Sequence, residues 1–258
     1  MSLARRLIEK FSRGVVLKRR LPADLGGGRL YVSPEAGGLK YWRRDLNKAD
    51  PDLLGVAREL VTSGAQIWDI GANVGLFTFA AAYLAGPSGT VLAVEADIDN
   101  ARLLQRSAAG IDRSSSAAVT VLAAAITPPG QRLARFLIAA RSRASNALEG
   151  SGNTQMGGVR ETRVVPGFTL DELLDLLGAP SLIKIDVEGA ELSILQGAKR
   201  LLGEVRPRIV LEVNEESSRA VADLFAGNKY AVYDASVPAA QRKKLDNAPW
   251  NTLALPEQ

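Results

Sequence analysis

The chain reads as an α/β protein: a sheet of mostly parallel strands with helices on both faces. Three observations predict this. Short apolar runs alternate with helix-length segments along most of the 258 residues. A Gly-x-Asn-x-Gly turn, Gly71 to Gly75, directly follows one such run. Acids close several of the runs, at Asp69, Glu95, Asp186 and Glu212. Strand–helix repetition of this kind implies right-handed crossovers between parallel strands.

Residues 1–20 carry seven basic side chains (Arg5, Arg6, Lys10, Arg13, Lys18, Arg19, Arg20) against one acid, Glu9. Leu3, Leu7, Ile8 and Phe11 recur among them at helical spacing, which reads as an amphipathic helix. Such a helix can touch an anionic membrane surface, or pack on its own domain or a second subunit. An irregular stretch over 21–47 follows, with short strands expected around Leu30 and over 39–42. Asp50-Pro51 starts a helix that runs to about Gly64, with proline at the first helical position. A strand over 66–70 leads through the glycine turn into a helix over 74–85, stopped by Gly86-Pro87. A strand over 90–94, a helix over 98–109 and a strand over 118–123 continue the alternation.

The pattern then breaks. Residues 132–139 and 159–165 read as the strands of an inserted hairpin around a polar, glycine-rich loop, 140–158. Loops of that length are usually functional or disordered. Arg141, Arg143, Arg160 and Arg163 make it a candidate lid for an anionic substrate group, or an ordinary solvated hairpin. Thr169-Leu170-Asp171-Glu172 is a capping box for a short helix. Strands over 181–185 and 208–213 alternate with helices over 190–202 and 216–225, and runs at 230–233 and 251–255 can finish the sheet.

Composition narrows the chemistry. No run of about 18 apolar residues is present, so no spanning helix is expected. The basic N-terminus lacks the apolar core of a signal peptide, and a cytoplasmic protein is expected. With no cysteine there is no thiolate or disulfide chemistry, and with no histidine there is no Ser-His-Asp triad or imidazole base. The remaining options are carboxylates, Lys, Arg, Tyr, hydroxyls and oxygen-ligated metals. A pI near 9.4 leaves nucleic-acid binding open, but no aromatic–basic interleaving supports it.

The turn itself points to a nucleotide. Glycines let a ligand approach the backbone, and N–H groups at a helix start attract an anion. Glu95, about 20 residues beyond the turn, stands where an acid can hold ribose hydroxyls. A dinucleotide fingerprint wants Gly-x-Gly-x-x-Gly, but here Asn73 fills the second glycine slot. That favours a cofactor without phosphates, S-adenosylmethionine, whose ammonium can meet Asp69 and whose carboxylate can meet the turn.

A second dense segment is Lys184-Ile185-Asp186-Val187-Glu188-Gly189-Ala190-Glu191. Leu182, Lys184 and Asp186 share one face of a strand, at the end where α/β sheets bind ligands. An internal Lys184–Asp186 pair, or helix capping by Asp186 or Glu188, would also explain these charges.

These blocks resemble the FkbM-type methyltransferases. The likeness is carried by Trp68-Asp69-Ile70-Gly71-Ala72-Asn73-Val74-Gly75, Thr169-Leu170-Asp171-Glu172-Leu173, the Lys184–Glu191 block and Glu212-Val213-Asn214. It covers roughly residues 50 to 214. The resemblance implies a Rossmann-like, seven-stranded class I sheet over 50–258, behind an N-terminal extension over 1–49. It further implies S-adenosylmethionine as cofactor and O-methylation of a sugar, glycolipid or secondary-metabolite hydroxyl, with a small-molecule or carbohydrate partner and a homo-oligomer as further options. Methylation of nitrogen or RNA, or a non-catalytic protein on the same fold, are the alternatives. Asp69, Gly71, Asn73 and Gly75 become the cofactor turn, Glu95 the ribose acid, and Lys184, Asp186, Glu188 and Glu212 the active-site groups. Two further cofactor positions depart from the family: Ala96 stands where proline is common, and Ala125-Ile126-Thr127 where a small-Ser-Asp triplet lies near adenine. Ala144-Ser145-Asn146-Ala147-Leu148 loosely matches the family's serine-containing loop.

An alcohol nucleophile must lose a proton during attack, and without histidine Asp186 or Glu188 is the expected general base. A hard divalent cation held by Asp186, Glu212 and Asn214 is a second possibility and is not favoured.

Overall fold

The computed structural model describes residues 12, 14–37, 40–140, 145–151 and 158–257. The apolar positions Leu3, Leu7, Ile8 and Phe11 of the expected basic helix lie outside them, as do Arg141 and Arg143.

Seven strands form the central sheet: β3 (Gln66–Ile70), β4 (Thr90–Val94), β5 (Ala118–Leu122), β10 (Leu182–Ile185), β11 (Arg208–Glu212), β12 (Tyr230–Asp234) and β13 (Asn251–Pro256). Their order is β12-β13-β11-β10-β3-β4-β5. The strands from β11 to β5 pair in parallel, while β13 runs antiparallel to both its neighbours. A single antiparallel strand in an otherwise parallel sheet agrees with the mostly parallel sheet expected. No crossover helix lies between β12 and β13; the chain returns through a short 3₁₀ turn at Ala239–Gln241, which suits an antiparallel return.

Side chains alternate between two apolar layers, as the strand period requires. Ile67, Val91, Ala93 and Leu182 pack with helices Pro51–Leu60 and Leu76–Ala85. Trp68, Ile70, Ile183 and Ile185 pack with helices Leu170–Leu177, Glu191–Gln196 and Ser218–Gly227. The local signals behave as their chemistry dictates. Asp50 caps Leu53 N–H ahead of Pro51, and Thr169 and Glu172 close a reciprocal capping box.

Three local expectations are corrected. Residues 40–42 form a 3₁₀ turn, not a strand. Lys18 to Arg20, counted among the charges of the expected basic helix, belong to strand β1 (Leu17–Arg20), which pairs with β2 (Arg29–Val32). Gly26 and Gly27, both at positive φ, reverse the chain between them. Finally, the helix expected to reach 202 stops at Gln196, and a new turn forms over Leu201–Val205. Asp171 causes the restart, since its carboxylate accepts from the N–H groups of Arg200 and Leu201 at 3.0 and 2.9 Å.

The insertion is larger than a hairpin. β7 (Leu133–Ala139) and β9 (Val159–Phe168) are joined by β6 (Ala125–Ile126) and β8 (Ala147–Leu148) in the order β6-β9-β7-β8.

The N-terminal segment is part of the main core. Leu25, Leu30, Val32 and Leu46 are fully buried in the same layer as Leu54 and Phe77. Leu25→Ala is expected to cost about 2–5 kcal/mol, as for other large-to-small core changes. Urea unfolding checks it; a cost below about 0.5 kcal/mol would mean that the segment only rests on the domain.

Candidate functional site

A cavity of about 610 Å³ opens along the carboxyl ends of the parallel strands. Gly71, Ala72 and Asn73 form its middle, Glu95 and Ala96 lie on one side, and Asp186 and Glu212 on the other. This is where open α/β sheets bind ligands.

The glycine turn is held by backbone and by neighbours. Gly71 has φ +73°, and a Cβ there would lie 1.8 Å from the carbonyl oxygen of Asp186, so only glycine fits. Asn73 also has positive φ (53°), which asparagine tolerates better than most residues. Its Oδ1 accepts from Val74 N–H, and its Nδ2 donates to the carbonyl of Ala36 in the N-terminal segment at 2.8 Å. Gly75 precedes the Leu76–Ala85 helix, and no side chain caps that helix start.

Glu95 is fixed by two amides: Asn73 N–H and Asp97 N–H each donate to one carboxylate oxygen at 2.7 Å. Burial pushes its pKa up to about 8, although these two bonds oppose the shift.

The centre of the site is Lys184. It is the register partner of Asp69 on adjacent β3, and both are buried. Its ammonium donates to the Gly71 carbonyl at 2.8 Å and lies 3.3 Å from both Asp69 Oδ1 and Asp186 Oδ2. Those three partners match its three protons. Burial alone would lower the Lys184 pKa, but Asp186 and Asp69 outweigh it and hold the ammonium above the ordinary lysine value. The expected internal Lys184–Asp186 pair is therefore present, and it extends to the turn.

Asp69 is fully buried. Thr78 donates to its Oδ2 at 2.5 Å, and its Oδ1, which accepts no hydrogen bond among the described residues, faces the Lys184 ammonium. Asp69 thus anchors Lys184 beneath the turn.

Glu188, at φ 55°, and Glu212 line the cavity beside Asp186. Enclosure, followed by the charges of Asp186 and Glu212, pushes Glu188 up to about 8. Glu212 is pushed up to about 7, by enclosure and then by Asp186. Asn214 is not drawn into this group, because its Oδ1 accepts from the Ser217 N–H and hydroxyl, both at 2.8 Å. Among the described residues, no set of three or more acids, His or Cys is arranged to hold a metal ion.

Of the arginines expected to meet a substrate anion, the two among the described residues, Arg160 and Arg163, pair with nearby acids. Arg160 pairs with Glu35 at 2.5 Å, and Arg163 with Glu161, Asp99 and Asp97 at 2.8, 3.1 and 3.4 Å. Sequence reasoning missed Lys40, which pairs with Asp50 at 2.8 Å in the cavity wall, and Trp250, 61% exposed at its lining. Asp50 signalled only a helix cap, and nothing in the sequence around Trp250 marks it.

The residues fit S-adenosylmethionine. An uncapped helix start suits its carboxylate, a fixed acid suits its ribose, and a wall of carboxylates suits a cation better than a pyrophosphate. Fold and site together define a class I S-adenosylmethionine-dependent methyltransferase. The methyltransferase FkbM domain model matches residues 69–232, and the chain belongs to that family. Among solved structures, the methyltransferase FkbM from Methylobacillus flagellatus KT is similar at 20% identity and TM-score 0.48; the match covers 76% of this chain and 45% of that one. The chain thus spans less than half of that structure. Precorrin-6y C5,15-methyltransferase from Geobacter metallireducens GS-15 is similar at 14% identity and TM-score 0.46, covering 81% and 87%. A SAM-dependent O-methyltransferase from Thermotoga maritima follows at 13% and 0.42, covering 81% and 66%. No curated protein sequence matches. Among the described residues, no helix is long and apolar enough to cross a membrane.

Two outcomes follow from the buried charges. Lys184→Met strands Asp69 without a counter-charge and is expected to cost about 3–5 kcal/mol, part of it recovered by adding Asp69→Asn. Urea unfolding of the single and double variants reads this; a Lys184→Met cost within 1 kcal/mol contradicts it. Glu95 keeps its proton in the folded state up to about pH 8, but in the unfolded chain it loses it near the ordinary glutamate value of 4.5. Its contribution to stability is therefore full below pH 4.5 and is lost as pH rises towards 8. Glu95→Gln should flatten that slope in calorimetric melts between pH 5 and 8, and an unchanged slope would assign the pH dependence elsewhere.

Proposed function

We propose that the chain transfers the methyl group of S-adenosylmethionine to a hydroxyl oxygen of a small, polyhydroxylated acceptor such as a sugar, a glycolipid headgroup or a secondary metabolite. The bound cofactor supplies an electrophilic methyl group on a sulfonium. The observation that carries the reading is the Lys184 bridge, which ties the cofactor turn at Gly71 to the Asp186 carboxylate across adjacent strands.

The remaining work falls to the protein. The turn from Gly71 to Asn73 and the helix start at Leu76 hold the amino-acid end of the cofactor, and Glu95 holds its ribose. Asp186, the first residue beyond β10, takes the proton from the acceptor hydroxyl as the oxygen attacks. Lys184 stays charged, so it does not take that proton; it fixes the carboxylate in place. Glu188 and Glu212, with pKa values raised towards neutrality, share protons with the acceptor's other hydroxyls. Orientation of this kind can supply about 7–11 kcal/mol of the barrier lowering, and the base about 10²–10⁴-fold in rate.

The wall around Asp186 favours an uncharged acceptor. Asp50, Glu188 and Glu212 stand beside it, and Lys40 is neutralised by Asp50. A phosphate-rich acceptor would meet those carboxylates, which weighs against RNA despite the basic pI.

Methyl transfer from labelled S-adenosylmethionine to a panel of hydroxylated sugars tests the reading. Asp186→Asn should lower kcat by about 10²–10⁴-fold with cofactor affinity within about threefold of wild type. An unchanged rate sinks Asp186 as the base. A rate limb near pH 8 that disappears in Glu188→Gln would move the role to Glu188.

A further inference from the structure

The sheet order gives the cavity a direction. Moving from β10 through β3 to β4 passes Asp186, the glycine turn and Glu95 in succession, and the next strand, β5, leads on to Ala124 and Ala125. A ligand whose amino-acid end lies at the turn and whose ribose lies at Glu95 places its base at this far end.

The far end is a slot with apolar walls. Ala96, Ala125, Phe136 and Leu148 line it. Three of these, Ala125, Phe136 and Leu148, belong to the small buried core of the four-stranded insert, and Ala96 packs against that core. The insert is fastened here through Asp97, which faces Arg163 of β9 at 3.4 Å and accepts from Asn146 at 2.9 Å.

Two amides enter the same slot. Asn100, on the first turn of the Ile98–Ala108 helix, is only 2% exposed, lines the cavity, and has no side-chain hydrogen bond among the described residues. Its amide atoms are not among the fully buried unpartnered groups, so they open onto the cavity with donor and acceptor available to a ligand. Asn146, beside β8, is 7% exposed. Its Oδ1 accepts from Ala139 N–H at 2.8 Å, and its Nδ2 donates to Asp97. Because one partner can only donate and the other only accept, the amide has one orientation. It keeps one N–H and one lone pair for another group.

We propose that Asn100 and Asn146 recognise the adenine of the cofactor, and that the insert therefore builds the base pocket rather than a lid over the acceptor. This rests on S-adenosylmethionine being the cofactor. Adenine presents an amino donor beside a ring-nitrogen acceptor, the pair that an Asn amide satisfies with two bonds at once. Hypoxanthine puts a carbonyl oxygen in place of the amino group, so it offers an acceptor where the amide oxygen needs a donor. The two asparagines thus replace the polar contact that is missing at Ala125-Ile126-Thr127.

Calorimetric titration of the full chain with S-adenosylhomocysteine and with S-inosylhomocysteine tests this without any turnover. Wild type should bind the adenine compound about 5- to 150-fold more tightly than the hypoxanthine one. Asn100→Ala removes no side-chain hydrogen bond among the described residues, so it should fold and bring that ratio at least about fivefold closer to one. Asn146→Ala should do the same, with circular dichroism melts confirming the fold. Should it not fold, the ratio measured for Asn100→Ala decides the proposal. Folded variants that keep the wild-type ratio overturn the proposal, as does a wild-type ratio near one with normal S-adenosylhomocysteine binding. Failure of wild type to bind either compound removes the cofactor reading as well.

Discussion

One buried ammonium organises the site. Lys184 sits in the middle of the sheet, hydrogen-bonded to the carbonyl of the cofactor turn and ion-paired with a carboxylate below it and a carboxylate at the cavity. A lone buried charge is costly, and a buried lysine is tolerated here because two carboxylates and a carbonyl face it. The price of that arrangement is rigidity, and rigidity is what in-line methyl transfer needs. The turn cannot shift relative to Asp186 without breaking the ammonium's bonds, and Gly71 already abuts the Asp186 backbone too closely for a Cβ.

Much of the fold was legible because each element carries its own local signal. Pro51 after Asp50, the reciprocal Thr169–Glu172 cap and Gly86 after Ala85 mark helix ends through backbone hydrogen bonding alone. What could not be read depends on partners far away in the chain. The early end of the helix at Gln196 follows from Asp171 capturing two N–H groups, and the third and fourth strands of the insert exist only because β6 and β8 find edges to pair with. The extended form of Leu17–Arg20 likewise depends on β2.

For the site, the strand-end positions of Asp186 and Glu212, the turn and Glu95 were visible from spacing, since alternation along a strand and the carboxyl-edge rule are local or topological facts. The direction in which Asp69 points was not. Its partner on the neighbouring strand, Lys184, draws it inward. Asn214, similarly, is claimed by Ser217 within its own turn. The N-terminal segment contributed no motif, yet Ala36 steadies Asn73 and Lys40 enters the cavity wall, contacts that arise only once that segment folds across the strand ends.

A crystal structure with S-adenosylhomocysteine bound is the most direct test of one cavity uniting donor and base. The homocysteine end should lie against Gly71 to Asn73, the ribose at Glu95, and the sulfur should face Asp186, with the Lys184 bridge intact. A ligand seated away from the glycine turn, or a sulfur turned from Asp186 towards the insert, would contradict it.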